Sequence, residues 1–254
     1  MSKRSKKLPK KRQNNDYWIY GHHAVVGALM NKNRVKYEVY CTSEAEKKLK
    51  GEVKLENADV ITINKTRDEI DLLLKGISNH QGICLRVEKL QTPQLSDFIK
   101  NLNDQKSIIF LLDQLDDPQN VGAIFRSALA FNIDGIILTN SNSVTENSFL
   151  AKAASSAIDK VPFTKIQNIS SCIKILKDNG YWIYGLDMKA KSSITDIKFP
   201  NKTVFVLGSE NKGMRKITAS LCDESLKIKM SHNLESLNVS NAAAIMMFYF
   251  SNRT

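Results

Sequence analysis

Three short stretches hold more chemistry than ordinary loops need. "DDPQNVGAIFR" (116–126) places Asn120 six residues before Arg126, nearly two helical turns apart. "LGSENKGM" (207–214) brackets Glu210 between Gly208 and Gly213, and glycines let a backbone approach a ligand closely. Taken singly, these two stretches could also be an N-cap asparagine with a solvated arginine, and an ordinary glycine turn. "MSHNLESLNVSNAAA" (230–244) gathers Ser236, Asn238, Ser240 and Asn241 in front of three alanines and the apolar "IMMFYF". Asn238 or Ser240 can cap the helix that begins there, but a cap needs one polar side chain. The surplus of hydrogen-bonding groups at a helix mouth points to a bound polar ligand.

Other chemistries are excluded by pattern. No GxxxxGK[ST] phosphate loop and no GxGxxG dinucleotide fingerprint occurs. The four cysteines, Cys41, Cys84, Cys172 and Cys222, form no CxxC pair, so buried or free thiols are expected, with no disulfide framework. The four histidines, His22, His23, His80 and His232, lack ligand spacing, and no metal site is expected.

The elements that must position the three stretches alternate between helix and strand. In the first part, helices are predicted at 22–31, 43–53 and 66–76, and strands at 35–42, 59–64 and 82–88. Ser43 with Glu46, and Thr66 with Glu69, have the spacing of capping boxes. Residues 91–105 are polar, contain Pro93 and are predicted to hold a short helix in a connection between domains. The continuous apolar run "SIIFLLDQ" (107–114) then predicts a strand buried on both faces of a parallel sheet. Strands follow at 135–140, 161–166, 181–188, 203–210 and 226–230, with helices at about 120–131, 146–158, 170–180 and 239–252. The fold class is therefore α/β, with a mostly parallel sheet. The expected division is a disordered basic tail (1–15), a first domain (16–90), a linker (91–105) and a second domain (106–254). All three stretches follow strands, where open α/β sheets bind ligands. "YWIYG" occurs at 17–21 and 181–185 with unmatched flanks, so no internal repeat is inferred.

Charge adds a partner class. The 254-residue chain carries a formal net charge of +11, and residues 1–15 hold seven Lys or Arg and no acid. Such a block cannot bury apolar surface, and it suits either a solubilising tail or an arm that attracts a polyanion such as nucleic acid. No apolar run approaches the roughly 18 residues of a membrane span, and no apolar stretch follows the basic start. A cytoplasmic protein without a membrane partner is expected.

Together, "NVGAIFR", "LGSENKGM" and "IKM" with "SLNVSNAAA" resemble the three motifs of the SpoU (TrmH-type) RNA 2′-O-ribose methyltransferases of the SPOUT superfamily. "YGHHAVVGAL" and "NHQGICLRV" are similar to the opening and the end of that family's RNA-binding substrate domain. The resemblance covers nearly all of the chain beyond residue 16 and is nearest to the branch acting on a guanosine ribose of large-subunit ribosomal RNA. Lys229 stands where many relatives have proline, and "SHNLE" replaces a glycine-containing lead-in. The resemblance implies a ribosomal-protein-like α/β domain followed by an α/β trefoil knot, and a homodimer. It implies S-adenosylmethionine held at Gly208, Ile228, Met230 and Leu237, largely through backbone. It makes Arg126 the central catalytic residue, acting on the ribose 2′-oxygen or clamping the neighbouring phosphate, with Asn120, Glu210, Ser236 and Asn238 orienting the site. A tRNA ribose methyltransferase and a non-catalytic RNA-binding protein are the competing readings.

Overall fold

The structure is a computed structural model, which describes residues 15–54, 60–141, 143–209, 213–231 and 236–251. The basic tail up to residue 14 and Glu210 lie outside the described residues. Contacts divide the chain into two units. One comprises the residues up to Gln91 together with Glu146–Asp159; the other comprises Thr92–Thr145 and Lys160–Thr254.

The first unit is built on strands β1 (Asp16–Tyr20), β2 (Lys36–Cys41), β3 (Ile61–Asn64) and β4 (Ile83–Glu88), in the order β1-β4-β2-β3. β4 runs antiparallel to β1 and β2, and β2 pairs with β3 in parallel. Alternating residues serve two cores. Ile19, Val39, Cys41, Ile83 and Leu85 pack with helices α1 (His22–Met30) and α2 (Ser43–Glu52). Tyr20 and Cys84 face the opposite way and pack with α3 (Arg67–Leu73). The capping box at Thr66 and Glu69 is present as predicted. The one at Ser43 is not: Thr42 is the N-cap of α2, and Glu46 pairs instead with Lys50.

Helix α6 (Ser148–Ala154) and a 3-10 turn (Ala157–Asp159) complete this unit, although they come from a distant part of the chain. Ala151 joins the first core. Arg34, 3% exposed, donates to Asp159 through Nε at 2.6 Å and to Glu146 through Nη1 at 2.9 Å. Tyr17 donates to the same Glu146 oxygen at 2.6 Å, and burial, then the Glu146 charge, holds its phenol well above the ordinary range. A buried ion pair of this kind adds little net stability, but removing one partner costs about 3–5 kcal/mol.

The second unit opens with the short helix α4 (Leu95–Lys100), whose Phe98 and Ile99 are buried in its core. Its sheet has seven strands, all parallel: β5 (Ser107–Asp113), β6 (Gly135–Thr139), β7 (Phe163–Ile166), β8 (Trp182–Leu186), β9 (Ser192–Ser193), β10 (Lys202–Gly208) and β11 (Glu224–Lys227). The order is β7-β6-β5-β10-β8-β11-β9. Every residue of β5 is buried, as its unbroken apolar run requires. On one face, Ile109, Leu111, Val204 and Val206 pack with α4 and α7 (Ile169–Asp178). On the other, Phe205 meets Phe250 of α9 (Val239–Ser251), and α9 lies beside α5 (Pro118–Ala130). Helix α8 (Lys216–Leu221) follows the second motif.

Candidate cofactor and transfer site

The parallel sheet brings the carboxyl ends of β5, β10, β8 and β11 to one edge, where an open α/β sheet places its ligand site. Each of the three sequence stretches starts there.

β10 ends at Gly208, and the chain reverses through an isolated bridge between Ser209 and Gly213. Gly213 has φ 63°, and its N–H donates to the Ser209 carbonyl at 2.8 Å. Gly208 is glycine for lack of room. A Cβ there would lie 2.1 Å from the Gly213 carbonyl carbon and 2.1 Å from the Met214 nitrogen. The returning segment is stapled to the end of β5 by Asp113, which is 1% exposed. Its carboxylate accepts from Arg215 Nε at 3.0 Å and from the Thr218 hydroxyl at 2.7 Å, and pairs with Arg215 Nη2 at 2.7 Å. The sequence signal for this staple is an acid ending an otherwise apolar strand, with its partners at positions no periodicity reveals.

In the first stretch, Asp117 is the N-cap of α5, accepting from the Gln119 N–H at 3.0 Å, and Pro118 opens the helix. Asn120 therefore stands in the first turn of the helix, as its third residue, instead of capping it. Its Oδ1 accepts from Asn238 Nδ2 at 2.9 Å, joining the first stretch to the third. Arg126 lies farther along α5, exposed, and makes no ion pair among the described residues.

The third stretch is anchored by Asn238, which does two jobs. Its Oδ1 accepts from Ser240 N at 2.9 Å, from the Ser240 hydroxyl at 2.5 Å and from Asn241 N at 3.3 Å, capping α9. Its amide nitrogen is thereby turned to Asn120. β11 begins earlier than the sequence predicts and ends at Lys227, leaving Ile228, Lys229 and Met230 in the loop. Lys229 reaches Asp196 at 3.2 Å, an exposed pair that solvent screens.

A cavity of about 580 Å³ opens between these loops. That is within the roughly 300–1,000 Å³ typical of small-molecule sites. Gly208, Ile228, Met230 and Leu237, the four residues expected to hold the cofactor, all line it, and so does Ser236. Further lining residues, Asp187, Lys189 and Met214 among them, were not singled out by the sequence. Asn238 sits between the lining residues Leu237 and Val239. Arg126 and Asn120 are not in the lining. The fit to a cofactor held mainly by backbone is good: the walls are largely apolar, and the backbone crossing of Gly208 with Gly213 and Met214, which only a glycine permits, is itself part of the lining. Among the described residues no group of His, Cys, Asp and Glu could hold a metal ion, and no helix is long and apolar enough to cross a membrane.

Comparison with known proteins matches this arrangement. The SpoU rRNA methylase family model matches residues 107–248, and the RNA 2′-O ribose methyltransferase substrate-binding model matches residues 18–93. A TrmH family tRNA/rRNA methyltransferase of Staphylococcus aureus is 31% identical over 92% of this chain and 94% of its own. The 23S rRNA (guanosine-2′-O-)-methyltransferase RlmB of Nitrosomonas europaea is 32% identical over 91% of this chain and 89% of its own. Among solved structures, the SpoU methyltransferase AviRb of Streptomyces viridochromogenes, in complex with AdoMet, shares the fold with a TM-score of 0.78. That match spans 94% of this chain and 90% of AviRb at 19% identity. The chain belongs to the SpoU family and is an S-adenosylmethionine-dependent RNA 2′-O-methyltransferase.

Proposed function

We propose that the cavity at the edge of the parallel sheet holds S-adenosylmethionine, and that the methyl acceptor is a guanosine ribose of 23S ribosomal RNA. The observation that carries this reading is the convergence of Gly208, Ile228, Met230, Leu237 and Ser236 on one cavity, beside the Asn120–Asn238 bond. The bound cofactor supplies an electrophilic methyl group on a sulfonium. The residues of this chain position the acceptor and manage the charge on its 2′-oxygen. Arg126 is assigned the clamp on the adjacent phosphate, which offsets the developing oxyanion. A guanidinium is poorly suited to accept the proton itself. Asn238 holds the start of α9 and, through Asn120, the start of α5, so the loop beside the cofactor and the helix carrying Arg126 are in register. Glu210 and Ser236 complete the hydrogen-bonding set. Fixing these groups beforehand is where much of the rate in such a transfer originates.

The ribosomal assignment rests on the full-length likeness to a 23S rRNA enzyme and on the substrate-binding match in the first unit. The likeness to a tRNA/rRNA methyltransferase over the same span favours tRNA as the second reading. Retention of Asn120, Arg126, Glu210 and Asn238 speaks against a non-catalytic descendant. In this reading residues 1–15 form an RNA-attracting arm, the family's trefoil knot surrounds the cofactor, and the enzyme is a cytoplasmic homodimer. Ile245 and Phe248 on α9 are 39% and 57% exposed, an apolar surface suited to a second copy. Mapping ribose methylation in ribosomal and transfer RNA, with and without the protein, tests the substrate. Loss of one guanosine mark in 23S rRNA is expected; loss of a tRNA mark alone would transfer the assignment.

A further inference from the structure

We propose that Asp187 is a cofactor-binding residue, whose carboxylate accepts hydrogen bonds from a part of S-adenosylmethionine that does not react. This rests on the reading of the cavity as the cofactor site. Asp187 is the first residue past the carboxyl end of β8, which lies between β10 and β11, and it lines the cavity with Leu186, Met188 and Lys189.

The loop that carries it is fixed. The Asp187 N–H donates to the Leu226 carbonyl at 2.9 Å, and its carbonyl accepts from Ala190 N at 3.0 Å. Its Oδ1 accepts from Lys189 N at 2.8 Å, so the side chain is held by its own turn. A carboxylate offers about four acceptor sites, and that bond uses one.

Charge points the same way. Asp187 is the only acid among the described lining residues, against Lys189 and Lys227. S-adenosylmethionine carries a sulfonium, an α-ammonium and a carboxylate, together with two ribose hydroxyls. The lysines suit its carboxylate. Its ammonium and hydroxyl donors need an acceptor, and Asp187 is the strongest one present. β10 separates β8 from β5, the strand that leads into α5 and Arg126. Asp187 thus stands away from the transfer side, and its removal should weaken binding without slowing the methyl transfer of a saturated enzyme.

The test is calorimetric titration of the full-length wild type, Asp187→Asn and Asp187→Ala with S-adenosylhomocysteine and with 5′-methylthioadenosine. Asparagine keeps the Oδ1 acceptor for Lys189 N, so the turn persists while the charge is lost. The expected result is a loss of S-adenosylhomocysteine affinity of about 10- to 100-fold in Asp187→Asn, the range for one hydrogen bond to a charged group. KM for S-adenosylmethionine should rise with kcat unchanged. An equal loss for 5′-methylthioadenosine, which lacks the amino-acid moiety, assigns the contact to the ribose; no loss for it assigns the contact to the ammonium. Asp187→Asn binding within about twofold of wild type overturns the proposal, and if Asp187→Ala alone is weak, the residue only shapes the loop. A wild type that binds neither compound overturns the cofactor reading of the cavity, and this proposal with it.

Discussion

Substituting Gly208 with alanine places one methyl group where two backbone segments already touch. The new Cβ would start 2.1 Å from Gly213 C and Met214 N, whereas ordinary contact begins at 3.4 Å. Backbone must therefore move by about 1.3 Å, since neither neighbour is a flexible side-chain tip. Overpacking of this kind costs about 1–3 kcal/mol, against total stabilities of about 5–15 kcal/mol, so the protein should fold. At about 2–4 °C per kcal/mol for a chain of this size, the thermal midpoint should fall by about 2–12 °C. Function should suffer more. The displaced segment lines the cavity, and a 1 Å misplacement costs on the order of 100-fold in rate. Loss of even one hydrogen bond to the cofactor would weaken its binding by about tenfold. The assay pairs calorimetric titration with S-adenosylmethionine and single-turnover methylation. Gly51→Ala is the control: a Cβ there meets nothing within 4 Å, so stability should hold or rise and binding should not change. A Gly208→Ala protein with wild-type affinity and turnover would refute the argument that this crossing shapes the cofactor site.

Arg126→Ala should fold and bind S-adenosylmethionine normally while losing methyl transfer, because Arg126 is exposed and outside the cavity lining; near-normal turnover on saturating RNA would remove it from the reaction. Asn238→Ser should retain stability within about 0.5 kcal/mol in denaturant melts, since serine caps as well as asparagine, yet lose activity with the bond to Asn120. Arg34→Ala should cost about 3–5 kcal/mol in the same melts, because Glu146 and Asp159 are left buried without their cation; a change below 1 kcal/mol would mean that water replaces it. In sedimentation, the wild type should run as a dimer at micromolar concentration and Phe248→Glu should shift toward monomer.

Local patterns made much of this architecture legible. The unbroken apolar run of β5 read as a buried parallel strand, and the box at Thr66 and Glu69 marked the start of α3. The cap at Ser43 was misplaced by one residue because Thr42 offers the same hydroxyl chemistry. β1 was overlooked: "DYWIY" has no clean alternation, since both of its faces are covered. The short helix α8 follows a glycine turn with too few residues to show a period. The cavity-lining residues Gly208, Ile228, Met230 and Leu237 could be named from motif resemblance, but the lining residue Asp187 could not. The predicted strand 181–188 enclosed it, whereas β8 ends at Leu186 and frees Asp187 to line the cavity. The Asp113–Arg215 staple spans 102 positions and is invisible to any local rule. The same holds for Glu146 and Asp159, whose attachment to Arg34 decides which unit that segment joins.

That attachment has a consequence in time. A ribosome delivers a chain from its N-terminus at about 5–20 residues per second. The first unit lacks its last elements until Asp159 has emerged, 68 residues after Gln91. For about 3–14 s the nascent unit holds Arg34 without its full pair of carboxylates, and for most of that time one side of its core lacks Ala151. During that interval β5, α5 and β6 are also being made. The substrate-binding half therefore cannot mature as a free-standing module ahead of the catalytic half. A nascent chain competent to grip RNA is one in which the opening strands of the methyltransferase sheet already exist.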